Sequence, residues 1–171
     1  MRERKYEYDH YLPGLTAVAG VVAIAVGAAL PLLEATGPDL TIRGVGLSLR
    51  DSVGGLADGG GYILIAAGAA LLCAVVLMAT HARRALGCRL LLLLIGGGAV
   101  LAAVFFLVAP VSVYAAWLGL NERGADVLQA VVDKTPLAIK PATGAFLLGL
   151  GGLLIAIGAV LPWRRSTRQP V

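Results

Sequence analysis

Four long stretches of the chain carry no charged residue, and this constrains its fold more than any other feature. They cover about 12–33, 62–80, 90–108 and 142–163. Each is close to the roughly 20 residues a helix needs to cross a hydrocarbon core of about 30 Å. All four are rich in Leu, Ala, Val, Ile and Gly. The composition agrees: 58% of the 171 residues are hydrophobic and 14% are charged, against about 25% charged in soluble domains. The sequence predicts an all-α integral membrane protein, a four-helix transmembrane bundle in one domain spanning 1–171. Outward loops at about 34–61 and 109–141 form a small cap of strands and one helix.

Charge sets the orientation. Nine of the 14 Lys and Arg lie in three short segments: Arg2, Arg4 and Lys5; Arg83, Arg84 and Arg89; Arg164, Arg165 and Arg168. The two long loops hold Arg43, Arg50, Arg123, Lys134 and Lys140. Positive-inside bias places both termini and the 81–89 connection in the cytoplasm of a plasma-membrane protein. The net charge of +4 therefore reads as an orientation signal and not as a nucleic-acid surface. A cleaved signal peptide would need a shorter apolar run and a small-x-small site. Leu33 and Glu34 precede the candidate site at Ala35, so the first span is expected to be retained.

Helices in lipid associate by close van der Waals contact, which small residues permit. Candidate packing stripes are Ala19, Ala23 and Gly27; Ala66, Ala70 and Ala74; Gly98 and Ala102; and Ala145 and Gly149, then Gly152 and Ala156. They serve either packing within the bundle or a dimer interface. Pro31 and Pro162 fall at span ends, where a missing donor is tolerable. Tyr62, Tyr114, Trp117 and Trp163 are expected as interfacial anchors. The segment 20–31 (GVVAIAVGAALP) echoes 151–162 (GGLLIAIGAVLP) at seven of twelve positions. The two helices cross in opposite directions, so an inverted repeat and a coincidence of low complexity both remain open.

In the first loop Leu40 and Ile42 alternate with polar residues. Gly44 then shifts the parity, and Val45, Leu47 and Leu49 continue it. That pattern predicts a strand with a bulge or two short strands. In the second loop Val127, Leu128, Val131 and Val132 share one helical face, with Asn121 as cap and Pro136 as stop. Leu137, Ala138 and Ile139 are expected to add a strand to the sheet of the first loop. The candidate recognition surface is Leu40, Ile42, Arg43, Val45, Leu47, Arg50 and Asp51 with Val127, Leu128 and Val131.

Cys73 lies in the middle of the second span and Cys88 just before the third, with no CxxC and no Cys/His cluster, so no structural disulfide is expected outside the membrane within one chain. Cys73 reads as a small apolar helix residue. Cys88, beside Arg89, sits where some proteins are acylated.

Leu30–Pro31 at the end of the first span, the Gly-rich outward segment and the re-entry at Asp58–Gly61 resemble small four-span membrane proteins of actinobacteria and archaea. In many of those the first motif is Leu-Pro-Trp; here Leu30–Pro31 is followed by Leu32, and Leu161–Pro162–Trp163 closes the fourth span. The resemblance implies a fold and no activity. The layout is also similar to claudin-like four-span proteins, without their paired loop cysteines and Trp motif.

Among functions, an enzyme needs convergent polar groups. The apolar stretches offer few, Thr16, Cys73 and Thr143 among them, and no phosphate loop, nucleophile elbow or zinc pattern appears. A transporter needs polar groups or broken helices at mid-depth. The sequence therefore predicts a non-enzymatic structural or accessory module with no cofactor and no metal. Its partners would be the lipid bilayer and another membrane or envelope protein or a second copy. A small oligomeric channel or transporter subunit is the alternative.

Overall fold

A computed structural model describes residues 2–36, 40–42, 45–47, 52–53, 60–79 and 85–161. Four of its helices are long and apolar enough to cross a membrane: α1 (Arg2–Ala29), α2 (Gly60–Ala79), α3 (Ala85–Val108) and α6 (Thr143–Val160). Between the last two lie α4 (Pro110–Trp117) and α5 (Glu122–Lys134). The short strands are β1 (Leu33–Thr36), β2 (Leu40–Ile42), β3 (Val45–Leu47), β4 (Ser52–Val53) and β5 (Ala138–Pro141).

The four long helices form a ring in which α1 packs on α2 and α6, and α3 packs on α2 and α6. Their core holds Val21, Ile24, Ala70, Leu77, Leu92, Leu148 and Ile155. No charged or polar side chain is buried among the described residues with assigned burial.

The seam between α1 and α6 is made at the level of the backbone. A Cβ added at Gly20 would lie 2.6 Å from the carbonyl oxygen of Gly151, and one at Gly151 would lie 2.6 Å from that of Gly20. The same holds for Gly27 against Gly144, at 2.9 Å, and Gly158 against Pro13, at 2.8 Å. These three contacts recur every seven residues, two helical turns, as in antiparallel helices that cross at a small angle. Only glycine permits this approach, because any side chain would meet a carbonyl rather than a groove.

This seam gives the sequence echo a physical meaning. The alignment of 20–31 with 151–162 pairs Gly20 with Gly151, Ile24 with Ile155 and Gly27 with Gly158. In the structure Gly20 approaches Ile155 while Gly151 approaches Ile24. A Cβ at Gly27 would lie 3.0 Å from the amide of Leu148, and one at Gly158 would lie 3.0 Å from that of Ala17. A local two-fold axis through the Gly20–Gly151 contact exchanges all of these. Three of the seven echoed positions are thus residues that two antiparallel helices share when they pack as equivalents.

Within the bundle the stripes on α1 and α3 shift in register, while those on α2 and α6 are buried or half-buried. On α1 the buried face is Ala17, Gly20, Val21, Ile24, Gly27 and Ala28; Ala23 is half-buried and Ala19 is exposed. Neighbouring positions on a helix differ by about 100°, so Ala19 and Gly20 face different surroundings. On α3 the close contact is Gly96 with Gly152, not Gly98, which is exposed with open space around it. Ala102 is half-buried and packs on the core. Gly149 meets Ala103, and Ala156 faces Gly96.

The first apolar stretch does not run as helix to residue 33. Its helix ends at Ala29, and Leu33 lies fully buried in β1. Pro31 lacks an amide donor and biases the residue before it towards extended backbone. The chain then turns into β1 and runs antiparallel to β5, with Leu33 opposite Pro141 and Thr36 opposite Ala138. Since β5 leads straight into α6, this pairing ties the C-terminal end of α1 to the start of α6. The amide of Gly144 donates to Pro31 O at 3.0 Å, and that of Ala142 to Leu32 O at 3.0 Å. The third helix starts earlier than expected, at Ala85, and so takes in Cys88 and Arg89.

Candidate interaction surface

The cap is built on a three-stranded antiparallel sheet, β4–β1–β5. The alternation of β1 turns Leu33 and Ala35 inward and leaves Glu34 and Thr36 exposed. Leu33 and Ala35 join Ile139 of β5 and Tyr114 of α4 in a second core, distinct from that of the bundle. Leu128 and Val132 of α5 pack on it from outside, and Phe106 of α3 touches both cores.

Two helices frame this core. Helix α4 starts with Pro110, whose fixed φ suits a first helical turn. It ends in a Schellman turn: Gly119 N donates to Ala116 O and Leu120 N to Ala115 O, both at 3.0 Å. Gly119 has φ +70°, a conformation costly for any residue with a Cβ. Helix α5 is capped as its sequence predicts. The Asn121 side-chain oxygen accepts from Gly124 N at 2.9 Å. Glu122 in the first turn and Lys134 in the last complement the helix dipole. The helix stops at Lys134, where Thr135 turns extended ahead of Pro136.

The candidate residues divide into three groups. Leu40, Ile42, Val45 and Leu47 lie on β2 and β3, which pair as a two-stranded sheet of their own. Leu40 stands opposite Leu47 and Ile42 opposite Val45. The phase change at Gly44 thus corresponds to two strands, not one bulged strand. Arg43, Arg50 and Asp51 lie outside the described residues. On α5, Leu128 is half-buried against the cap core, so its role is packing, and Val131 is also half-buried. Val127 is 63% exposed. The anticipated strand at 137–139 is β5, and its partner is β1 rather than the 40–49 segment.

Sequence reasoning missed α4 and what it exposes. Tyr114, expected as an interfacial anchor, is instead buried in the cap core, because α4 folds back over the sheet. Its ring lies 6.1 Å from that of Trp117, which is exposed. Tyr62 is exposed at the start of α2; Trp163 lies outside the described residues. Trp117, Leu118, Leu120 and Val127 are the large apolar residues exposed on α4, α5 and the turn between them. The Leu118–Gly119–Leu120 run was the available signal, since a Gly flanked by Leu after an apolar segment marks a helix stop.

Among the described residues no group of three or more His, Cys, Asp and Glu comes together as a metal set would. Comparison with protein-family models, with curated proteins and with solved structures finds no match to this chain.

Proposed function

We propose that the chain is a multi-pass protein of the plasma membrane, with both termini cytoplasmic, that acts as a non-enzymatic interaction or accessory module. The observation that carries the membrane part is the inverted distribution of residue size. Glycine and alanine fill the helix seams. Leu15, Val22, Ile65, Leu72, Leu94, Leu101, Phe105, Leu150 and Ile157 stand exposed along the four long helices. An apolar surface this extensive is incompatible with water and matched by lipid. Orientation is supported by charge. The N-terminal, 81–89 and C-terminal segments hold nine cations and three acids; the two long loops hold five cations and seven acids. The protein should stay in the membrane pellet through alkaline carbonate. Reporter fusions at both termini should read as cytoplasmic; release by carbonate or an external C-terminus would overturn this reading.

Recognition is assigned to the cap because the apolar windows of the four long helices expose large hydrophobic side chains and little that is polar. The β2–β3 hairpin and the exposed Trp117, Leu118, Leu120 and Val127 form the proposed contact surface for another membrane or envelope protein. Deleting residues 40–50 should remove a partner that co-purifies in mild detergent and leave the helical content unchanged. Retention of every partner after that deletion would rule the surface out.

A further inference from the structure

Arg89 is the one charged residue within the four apolar windows Leu12–Ala29, Gly61–Met78, Leu86–Val108 and Thr143–Val160. It lies three residues inside the start of the α3 window, about 4.5 Å along the helix axis. The residue is half-buried, and its Nε is buried with no hydrogen-bond partner. Neither Nη nitrogen shares that condition. A guanidinium, unlike a lysine amine, does not shed its proton to escape an apolar site, so its charge has to be met by an anion. None of the four windows contains an Asp or Glu to meet it. At about 100° per residue, Arg89 falls within about 20° of Gly96 around α3, on the face that meets Gly152 of α6. Leu86, Leu90 and Leu93 stand exposed on the adjoining face. Gly97, on that same adjoining face, has open space around it. A helical side chain leans towards the N-terminus of its helix. For Arg89 that direction leads out of the apolar window, towards Ala85 and the membrane surface.

We propose that Arg89 binds the phosphate of an anionic phospholipid, with one acyl chain laid along Leu86, Leu90, Leu93 and Gly97, an inference that rests on the membrane reading above. A phosphate takes two N–H donors of one guanidinium at once. A long arginine near a span end reaches the headgroup level with its charge while its stem stays among apolar groups. The setting favours a lipid over free phosphate. An apolar strip adjoins the guanidinium, and only an anion that carries acyl chains can occupy both. Charge favours a lipid with net negative charge. Residues 81–89 hold Arg83, Arg84 and Arg89 with no acid, and basic residues at a span end attract anionic lipid. Arg89 makes the contact, whereas Arg83 and Arg84 add only long-range attraction. With the orientation proposed above, the lipid belongs to the cytoplasmic leaflet.

The test holds the full chain in mild detergent with equal amounts of phosphatidylglycerol and phosphatidylcholine bearing the same acyl chains. Native mass spectrometry then counts the lipids retained on each chain. The unmodified chain should prefer phosphatidylglycerol, and millimolar inorganic phosphate should not displace it. Arg89→Gln should lower that preference about five-fold, and the joint Arg83→Gln, Arg84→Gln variant should lower it less. Equal retention of the two lipids by the unmodified chain overturns the proposal, even if a variant fails to fold. So does displacement by inorganic phosphate, an unchanged preference in Arg89→Gln, or a loss in the joint variant as large as that in Arg89→Gln. Release of the chain by alkaline carbonate would remove the membrane reading beneath the proposal. A chain that stays in the pellet and shows no lipid preference overturns the proposal alone.

Discussion

The α1–α6 seam and the α2–α3 hairpin draw on the same few residue types, yet they pack in different ways. In the apolar windows of α1 and α6, 44% of residues are buried; in those of α2 and α3 the shares are 22% and 17%. The difference lies in what the glycines do. On α1 and α6 they let one backbone rest on the other at intervals of seven residues. On α2 and α3 most of them meet nothing, and Gly96 turns towards α6 rather than α2. Glycine content alone therefore says little about helix association. What counts is whether a glycine faces a partner that itself has no side chain in the way. The bundle is best described as a two-helix spine, α1 with α6, to which α3 is joined through Gly96 and Gly152 and α2 presents buried alanines such as Ala67, Ala70 and Ala74.

The largest effect should come from filling the spine. A leucine at Gly20 or Gly151 would drive a side chain into a carbonyl 2.6 Å from its first carbon. Overpacking ordinarily costs about 1–3 kcal/mol, and more where a backbone is the obstacle. Each variant should lose about 3 kcal/mol or more, read as loss of the folded population in a denaturant titration of the purified protein in mixed micelles. The local two-fold axis sharpens the expectation: Gly20→Leu and Gly151→Leu should cost nearly the same, because each meets the other's carbonyl at 2.6 Å. Unequal losses would mean that the echo of the two segments is not a symmetry of their packing.

Next in size is the cap. Leu128→Ala removes a half-buried side chain from the second core, at a cost of about 2 kcal/mol. Asn121→Ala removes the α5 cap, at about 1 kcal/mol. Both losses should appear as faster amide exchange in α5, while exchange in α1 and α6 stays unchanged. If the spine loosens in step with α5, the two cores are one cooperative unit, and Phe106, which touches both, is the natural link.

Much of this architecture was legible in the sequence because it rests on local rules. The four apolar helices follow from their charge-free lengths, the Asn121 cap from a side-chain preference, and the two strands about Gly44 from alternation. What stayed hidden depends on the relation between segments. A stripe of small residues on α1 admits several registers, and only the position of α6 selects Gly20 over Ala19. Helix α4 has neither a polar cap nor an amphipathic face, so PVSVYAAW reads as well as an interfacial loop, and Tyr114 as an anchor. For the proposed recognition surface, alternation in the first loop was readable. The exposure of Val127 beside a packed Leu128 follows only from where α5 docks.

The smallest effect is also the one that separates the two regions by sign. Alanine is a better helix former than glycine by about 0.5–1 kcal/mol, because glycine has more backbone freedom to lose. At Gly68 and Gly98 an added Cβ meets nothing within 4 Å, so only that gain remains. Gly68→Ala and Gly98→Ala should stabilise the protein by about 0.5 kcal/mol. At Gly20 the same substitution adds the same propensity gain but sets a methyl 2.6 Å from a carbonyl oxygen, where the clash outweighs it. Gly20→Ala should therefore destabilise, and the three variants, compared in the same micelle, should straddle the parent. If Gly98→Ala instead destabilises, its face is occupied by a neighbour, and a second copy of the chain, approaching through α3, is the first occupant to test by cross-linking.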